Sequence, residues 1–145
     1  MEQKYPSILL IGPPGVGKGT QGMILGSIPG FFHLATGDMF RGLDKESEIG
    51  LEFTRYSSKG HLVPDFLTVR LWKQHVEQVI AKGMYDPLVD VLLLDGIPRT
   101  AAQAKLIEEY VEVIHIIVLT IDDEEEIYRR ISRRGKIEKR QKIII

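Results

Sequence analysis

An apolar run that ends abruptly in a glycine-rich segment constrains the fold of this chain more than any other feature. Residues 8–11 read Ile-Leu-Leu-Ile, and residues 12–20 read Gly-Pro-Pro-Gly-Val-Gly-Lys-Gly-Thr. This order predicts a buried strand, a tight turn and the start of a helix. Backbone N–H groups of such a turn converge on an anion, and the helix N-terminus and Lys18 add positive potential. The segment therefore predicts a phosphate-binding loop, in which the hydroxyl residue Thr20 comes one place later than the usual pattern.

Apolar runs alternate with segments of helical pattern along the 145 residues, which is typical of one α/β domain. The alternation predicts a parallel sheet flanked by helices, with the strands at 91–94 and 113–119 buried. Residues 36–64 lack a long apolar run, and we interpret them as an insertion of two short helices lying against the core. Strands are expected at 7–11, 33–35, 91–94 and 113–119. Longer helices are expected from residue 17 to just before Pro29, from 65 onward, at 100–112 and at 122–134.

The composition excludes several classes of function. No cysteine is present, so disulfides, thiolate catalysis and cysteine-ligated zinc are ruled out. A net charge of −1 argues against a general basic surface for nucleic acid. No apolar stretch reaches the length of a membrane span and no signal-peptide pattern precedes the first strand, so the expected location is the cytoplasm, away from membranes. The four histidines lack metal-ligand spacing, and each is interpreted as structural or exposed.

A second polar segment, Thr-Gly-Asp-Met-Phe-Arg at residues 36–41, follows the second predicted strand. Either Thr36 or Asp38 is expected to cap the helix that begins there. Arg41 lies one turn further on, and its planar guanidinium suits a phosphate clamp. The alternative is a capped surface helix with a solvated arginine.

A third segment, Asp-Gly-Ile-Pro-Arg-Thr at residues 95–100, ends the buried strand at 91–94. Ligands bind at that edge of open parallel sheets, and Asp95 could orient magnesium-bound water there. Arg99 is a second candidate phosphate ligand, with an ordinary surface ion pair as the alternative. Thr100 is expected to cap the next helix, and Gln103 either reads a base edge or is exposed.

Four arginines near the end of the last predicted helix form two pairs, each four residues apart: Arg129 with Arg133, and Arg130 with Arg134. Glutamates one turn before Arg129 and Arg130 allow ordinary surface ion pairs. No such partner precedes Arg133 or Arg134. Four like charges on neighbouring turns repel one another, which favours a polyanionic ligand.

The segments at 12–21, 36–41, 60–65 and 95–100 together resemble adenylate kinase, in that family's order and at about its spacing. The resemblance covers about residues 7–134 and explains the late Thr20. It implies a P-loop NTPase-type parallel sheet flanked by helices, with a small helical AMP-binding insertion at 36–63. It also implies reversible phosphoryl transfer from ATP to AMP with Mg²⁺, giving two ADP. The partners would be these nucleotides, with neither nucleic acid nor a membrane, and the chain would be a monomer.

The resemblance also assigns roles to individual residues. Those implied for ATP are Gly15, Val16, Gly17, Lys18, Gly19, Thr20, Arg129 and Arg133. Those implied for AMP are Thr36, Arg41, His61, Leu62, Val63, Gly96, Ile97, Pro98, Arg99 and Gln103. Lys18, Arg99 and Arg133 are the expected catalytic cations, and Asp95 is the expected metal residue, acting through water.

The chain departs from the family's pattern at three places. Ile97 stands where the family usually has phenylalanine, and the stretch around 83–90 is a few residues longer. The family continues through a lid and a C-terminal segment, so residues 135–145 are expected to be a truncated lid or tail. Two alternatives therefore stay open: a nucleotide-binding module or fragment with little activity, and a kinase for another nucleoside monophosphate.

Overall fold

Four parallel strands and six helices form the part of the chain that the computed structural model describes, residues 3–138, with side chains described through residue 135. The strands are β1 (Tyr5–Ile11), β2 (Phe31–Ala35), β3 (Val91–Asp95) and β4 (Val111–Val118). The helices are α1 (Lys18–Gly26), α2 (Thr36–Arg41), α3 (Glu48–Ser57), α4 (Asp65–Ala81), α5 (Ala101–Ile107) and α6 (Glu124–Glu138). The predicted α/β class with a parallel sheet is confirmed.

The sheet has the order β2-β3-β1-β4, so β3 and β1 lie inside it and their carboxyl ends meet at one edge. Leu94 of β3 lies in register between Leu9 of β1 and Leu34 of β2. The three leucines of β3 at 92–94 have at most 1% of their surface exposed, as the unbroken apolar run predicts. This arrangement places the residues that follow β1 and β3 next to each other.

The prediction that the fourth strand is buried is wrong. β4 lies at the edge of the sheet and pairs with β1, and side chains such as Ile116 and Val118 are 57% and 62% exposed. An apolar run has the same appearance in an edge strand as in a central one, so the pattern did not distinguish them. The helix expected to reach residue 112 also ends early, at Ile107, because Glu112 already pairs with Pro6 in the sheet.

The core lies between the sheet and α4, and Leu67, Trp72 and Val76 of that helix are fully buried. The two short helices of the predicted insertion are present as α2 and α3. Both contribute to this core, α2 through Met39 and α3 through Phe53. Phe66, which shares the helical spacing of the core residues of α4, is instead 53% exposed.

The helix starts show one confirmed and one incorrect capping prediction. Thr100 caps α5 as expected, because its hydroxyl accepts a hydrogen bond from the N–H of Gln103 at 3.0 Å. Neither Thr36 nor Asp38 caps α2, since the N-cap position belongs to Ala35. Asp38 lies in the first turn and instead accepts a hydrogen bond from Arg41. Helix α2 therefore begins one residue earlier than a polar cap would allow.

The predicted tail at 135–145 is only partly within the described residues. Helix α6 continues through Gly135 to Glu138, beyond the expected end at 134. Residues 139–145, including the three terminal isoleucines, lie outside the described part. Among residues 3–138, no helix combines the length and the apolar character that crossing a membrane requires.

We expect Leu92→Ala to lower the free energy of unfolding by about 2–5 kcal/mol, because a fully buried leucine of the central strand leaves a cavity. Urea denaturation followed by circular dichroism measures this loss. Leu88→Ala is the matched control, since Leu88 is 74% exposed and its truncation should cost less than about 0.5 kcal/mol. Equal midpoints for the two variants would contradict the placement of β3 inside the sheet.

Candidate functional site

The loop between β1 and α1 has the backbone conformation that its glycines make possible. Gly15 and Gly17 have φ angles of +82° and +107°, a region that residues with a Cβ rarely adopt. The N–H of Val16 donates to the carbonyl of Pro13 at 3.2 Å and closes the turn. Helix α1 begins directly afterwards at Lys18, so its free N–H groups face the same space. The loop has the form of an anion cradle.

Lys18 folds back over this loop. Its Nζ donates to the carbonyls of Gly12 at 2.7 Å and of Pro13 at 3.2 Å. Partial burial lowers the pKa of Lys18, and the positive charges of Arg99 and Arg134 lower it further, while the Asp95 carboxylate opposes them. Charged groups from three separate segments, those at 18, 95–99 and 134, therefore act on one another at the mouth of the loop.

Asp95 ends β3 beside the loop, with its side chain 11% exposed. Its Oδ2 lies 3.1 Å from Nε2 of His33 and 3.9 Å from the position that a Cβ on Gly19 would occupy. The side chains described here contain no group of three or more carboxylates and histidines able to hold a metal by themselves. One carboxylate beside a phosphate cradle instead fits Mg²⁺, which proteins hold through few carboxylates together with substrate phosphates.

The side chains of Thr36 and Arg99 both approach Gly96, the residue that follows Asp95. The Nε of Arg99 donates to the carbonyl of Gly96 at 2.9 Å, and burial lowers the pKa of Arg99 while the Asp95 carboxylate opposes the shift. A Cβ on Gly96 would overlap Oγ1 of Thr36 and lie 3.3 Å from Nη2 of Arg99. Thr36 and Arg99, which the resemblance assigns to the AMP site, thus come together at Gly96. The peptide bond between Ile97 and Pro98 is cis.

Gln103 has no exposed surface, which contradicts the alternative that it is a solvent-facing residue. Its Oε1 accepts from the N–H of Arg99 at 2.8 Å, and its Nε2 donates to Oδ1 of Asp65 at 2.9 Å. The same Asp65 oxygen accepts from the hydroxyl of Thr100 at 3.1 Å. Asp65 closes the 60–65 segment of the resemblance but has no role assigned from the sequence. In the structure it joins the start of α4 to the start of α5 and orients the Gln103 amide.

The other residues predicted for the AMP site differ in their exposure to solvent. The side chain of Arg41 is 58% exposed and forms an ion pair with Asp38 on its own helix. Val63 and Ile97 are each 2% exposed and belong to the core, whereas Leu62 is 66% exposed. The N–H of His61, an exposed residue, donates to a backbone carbonyl of α3 at 3.0 Å.

Helix α6 brings one pair of arginines, Arg130 and Arg134, to the loop. The Nη1 of Arg130 donates to the carbonyl of Val16 at 3.5 Å, and Nη2 of Arg134 lies 4.0 Å from the Cβ position of Gly19. The helix packs closely enough that a Cβ on Gly15 would lie 3.0 Å from the Ile131 side chain. This contact sets which face of α6 points at the loop.

The other pair, Arg129 and Arg133, does not point at the loop. Arg129 forms ion pairs with Asp123 and Glu126, both at 3.5 Å. Arg129 and Arg133 line an open cavity of about 440 Å³ on the outer side of α6, together with Tyr128 and Ser132. The resemblance assigned Arg129 and Arg133 to the ATP phosphates, whereas in the structure Arg130 and Arg134 are the arginines that approach the loop. The two pairs have the same spacing, and only the docking of α6 distinguishes them.

The family model and the curated proteins that match this chain carry the same family name. A family model described as "Adenylate kinase" matches residues 10–144. Similar curated proteins named adenylate kinase come from Streptomyces coelicolor (36% identical, covering 88% of this chain and 58% of the relative) and Bacillus subtilis (37%, 88% and 58%). A third, from Thermobifida fusca, is 34% identical over 92% of this chain and 69% of the relative. The chain thus spans little more than half the length of the first two.

Proposed function

The chain belongs to the adenylate kinase family, and from this premise we propose that it transfers the γ-phosphoryl group of ATP to AMP, reversibly, giving two ADP. The observation that carries the proposal is the convergence of Lys18, Arg99 and Arg134 around one anion cradle. Cations from three separate chain segments have little reason to gather there unless a polyanion neutralises them.

The chemistry of this reaction suits the groups that are present. An oxygen of the AMP phosphate attacks the γ-phosphorus, and the β–γ bridging oxygen leaves with its electron pair as part of ADP. The attacking oxygen is already ionised, so no general base is needed. What the protein supplies is in-line placement and positive charge around the transferring group. Fixed cations in a partly buried site stabilise that charge more than water does.

We assign the phosphates of ATP to residues 15–20, with Arg130 and Arg134 in place of Arg129 and Arg133. Lys18 is the cation for the outer phosphates, because its Nζ lies over the loop. Arg134 acts from the side of Gly19, and Arg130 from the side of Val16. The charge on Arg133 faces the outer cavity and is left out of this assignment.

We assign the AMP phosphate to Arg99, beside Thr36 and Gly96. Gln103 contributes to base selection only if the surrounding side chains open, because it is fully buried here. Arg41 joins this site through a movement of the segment at 36–63, which also carries His61, Leu62 and Val63. Ile97 and Pro98, which join Gly96 to Arg99 in the sequence, are assigned to the same site.

We propose that Asp95 contacts the magnesium ion that accompanies ATP through metal-bound water. When bound, Mg²⁺ neutralises phosphate charge and helps to align the transferring group. The Asp95 carboxylate lies close to Lys18 and Gly19, so it is suitably placed to accept hydrogen bonds from metal-bound water. Thr20, the second residue after Lys18, lies in the first turn of α1, and we assign its hydroxyl to the ATP phosphates.

The test is an acceptor panel: MgATP with AMP, GMP, CMP or UMP, with ADP formation measured beside ATP binding. We expect AMP to be preferred over each other acceptor by at least about tenfold in kcat/KM, because hydrogen-bonding groups that are left unpaired by the wrong base cost affinity. Preference for another monophosphate would identify a different kinase of this class. ATP binding without turnover on any acceptor would identify a nucleotide-binding module.

A further inference from the structure

His33 of β2 lies against the carboxylate that ends the neighbouring strand. Its Nε2 is 3.1 Å from Oδ2 of Asp95, across 62 residues of sequence. The two side chains are 10% and 11% exposed, so little water competes for the contact. A carboxylate oxygen accepts and does not donate, so Nε2–H of His33 is the donor in this contact.

Two glycines of α1 make room for this imidazole. A Cβ on Gly22 would overlap the His33 ring, and one on Gly26 would lie 2.7 Å from the His33 Cβ. Gly22 is itself buried, so the overlap has no solvent side on which to relax. Glycine inside a helix costs about 0.5–1 kcal/mol relative to alanine. Placing two of them on the face that meets β2 indicates that the position of the ring matters.

We propose that His33 is a positioning residue that fixes the Asp95 carboxylate beside the phosphate loop, where it serves nucleotide-bound Mg²⁺. The inference rests on the proposed function, because it gives Asp95 a metal to serve. Hydrogen bonds in the outer shell of a metal site hold the orientation of the groups that contact the metal or its bound water, and their loss weakens metal binding. Without His33, the carboxylate would be free to turn toward Lys18 and Arg99, the cations that act on its side of the site.

The test compares ATP affinity with and without Mg²⁺ in the full 145-residue chain, by calorimetry. The ratio of the ATP dissociation constant without Mg²⁺ to the ATP dissociation constant with Mg²⁺ reports how much the metal strengthens binding. It does not require turnover. We expect His33→Leu to lower this ratio by about 10-fold or more, with a smaller change in metal-free ATP binding. His33→Gln should restore most of the ratio, because an amide Nε2 can replace the imidazole Nε2. His33→Asn, one carbon shorter, should not.

A double-mutant cycle separates positioning through Asp95 from a general effect on the fold. In an Asp95→Asn background, His33→Leu should change the ratio by less than about twofold, because its partner is already altered. Gly22→Ala should lower the ratio with His33 still present, since the added methyl displaces the ring. Additive effects of His33→Leu and Asp95→Asn would overturn the proposal.

The outcomes are distinguishable from failure of the proposed function. If the unmodified chain gains no ATP affinity from Mg²⁺, both proposals are overturned. If it gains affinity and His33→Leu keeps that gain, only the role of His33 is overturned. Should His33→Leu fail to fold, the two amide variants decide: the role stands if glutamine retains the ratio and asparagine loses it, and fails if both behave alike.

Discussion

Replacing Lys18 with alanine is expected to lower the rate of phosphoryl transfer by about 10²–10³-fold, as removal of other preorganised charge-stabilising groups does. Lys18 is the cation seated directly over the anion cradle, with its Nζ 2.7 Å from the Gly12 carbonyl. Partial burial lowers the pKa of Lys18, which means that the charged form is disfavoured at this position. A bound phosphate would stabilise the charged form. Steady-state ADP formation from MgATP and AMP measures the loss.

The control for this variant is Lys4→Ala. Lys4 is exposed and precedes β1, so its removal changes net charge equally without touching the loop. We expect Lys4→Ala to stay within about twofold of the unmodified chain, as surface substitutions usually do. Circular dichroism confirms that both variants are folded. Near-normal turnover by folded Lys18→Ala would remove the lysine from the reaction.

The double variant Arg130→Ala/Arg134→Ala is expected to lower kcat/KM for ATP by about 10³-fold or more, because arginines on transferring phosphates carry effects of that size. Both guanidinium groups approach the loop in the structure, one at Val16 and one at Gly19. Kinetics at varied MgATP and saturating AMP give the value.

A matched variant lies one position away on the same helix. Arg129→Ala/Arg133→Ala removes the same charge and the same side-chain volume, but from the face with the outer cavity. It should lower kcat/KM by less than about fivefold, the scale of screened surface charge. If this pair, and not the other, carries the large loss, the nucleotide meets the face of α6 that carries Arg129 and Arg133, and the assignment of Arg130 and Arg134 is contradicted. Equal moderate losses would mean that net charge alone matters.

Local chemistry made the phosphate loop and several contacts near it predictable. Four glycines, a lysine and a threonine directly after an apolar run are typical of a phosphate-binding loop. The structure has a loop at these residues, between β1 and α1. Thr100 was predictable as a cap because the preference for hydroxyl side chains at N-caps is local. The parallel order of β1 and β3 then brought Lys18 and Asp95 together.

Features set by long-range packing were not predictable. Two arginine pairs share one spacing, and the choice between them depends on Ile131 packing at Gly15. Whether β4 is central or at the edge depends on the strand order, which its own residues do not encode. His33 lacked any spacing signal because its partner is 62 residues away. The glycines at 22 and 26, four apart on one helix face, were the visible sign that something packs closely there.

The central claim is that these cations surround one phosphate chain and that its γ-phosphoryl group moves to a second nucleotide. The most direct measurement follows that group: ATP labelled with ³²P at the γ position is mixed with unlabelled AMP, Mg²⁺ and the chain. Label should appear in ADP over many turnovers and should appear about 10²–10³-fold more slowly with Lys18→Ala. Labelled inorganic phosphate alone, or labelled ADP no greater than with Lys18→Ala, would contradict the claim.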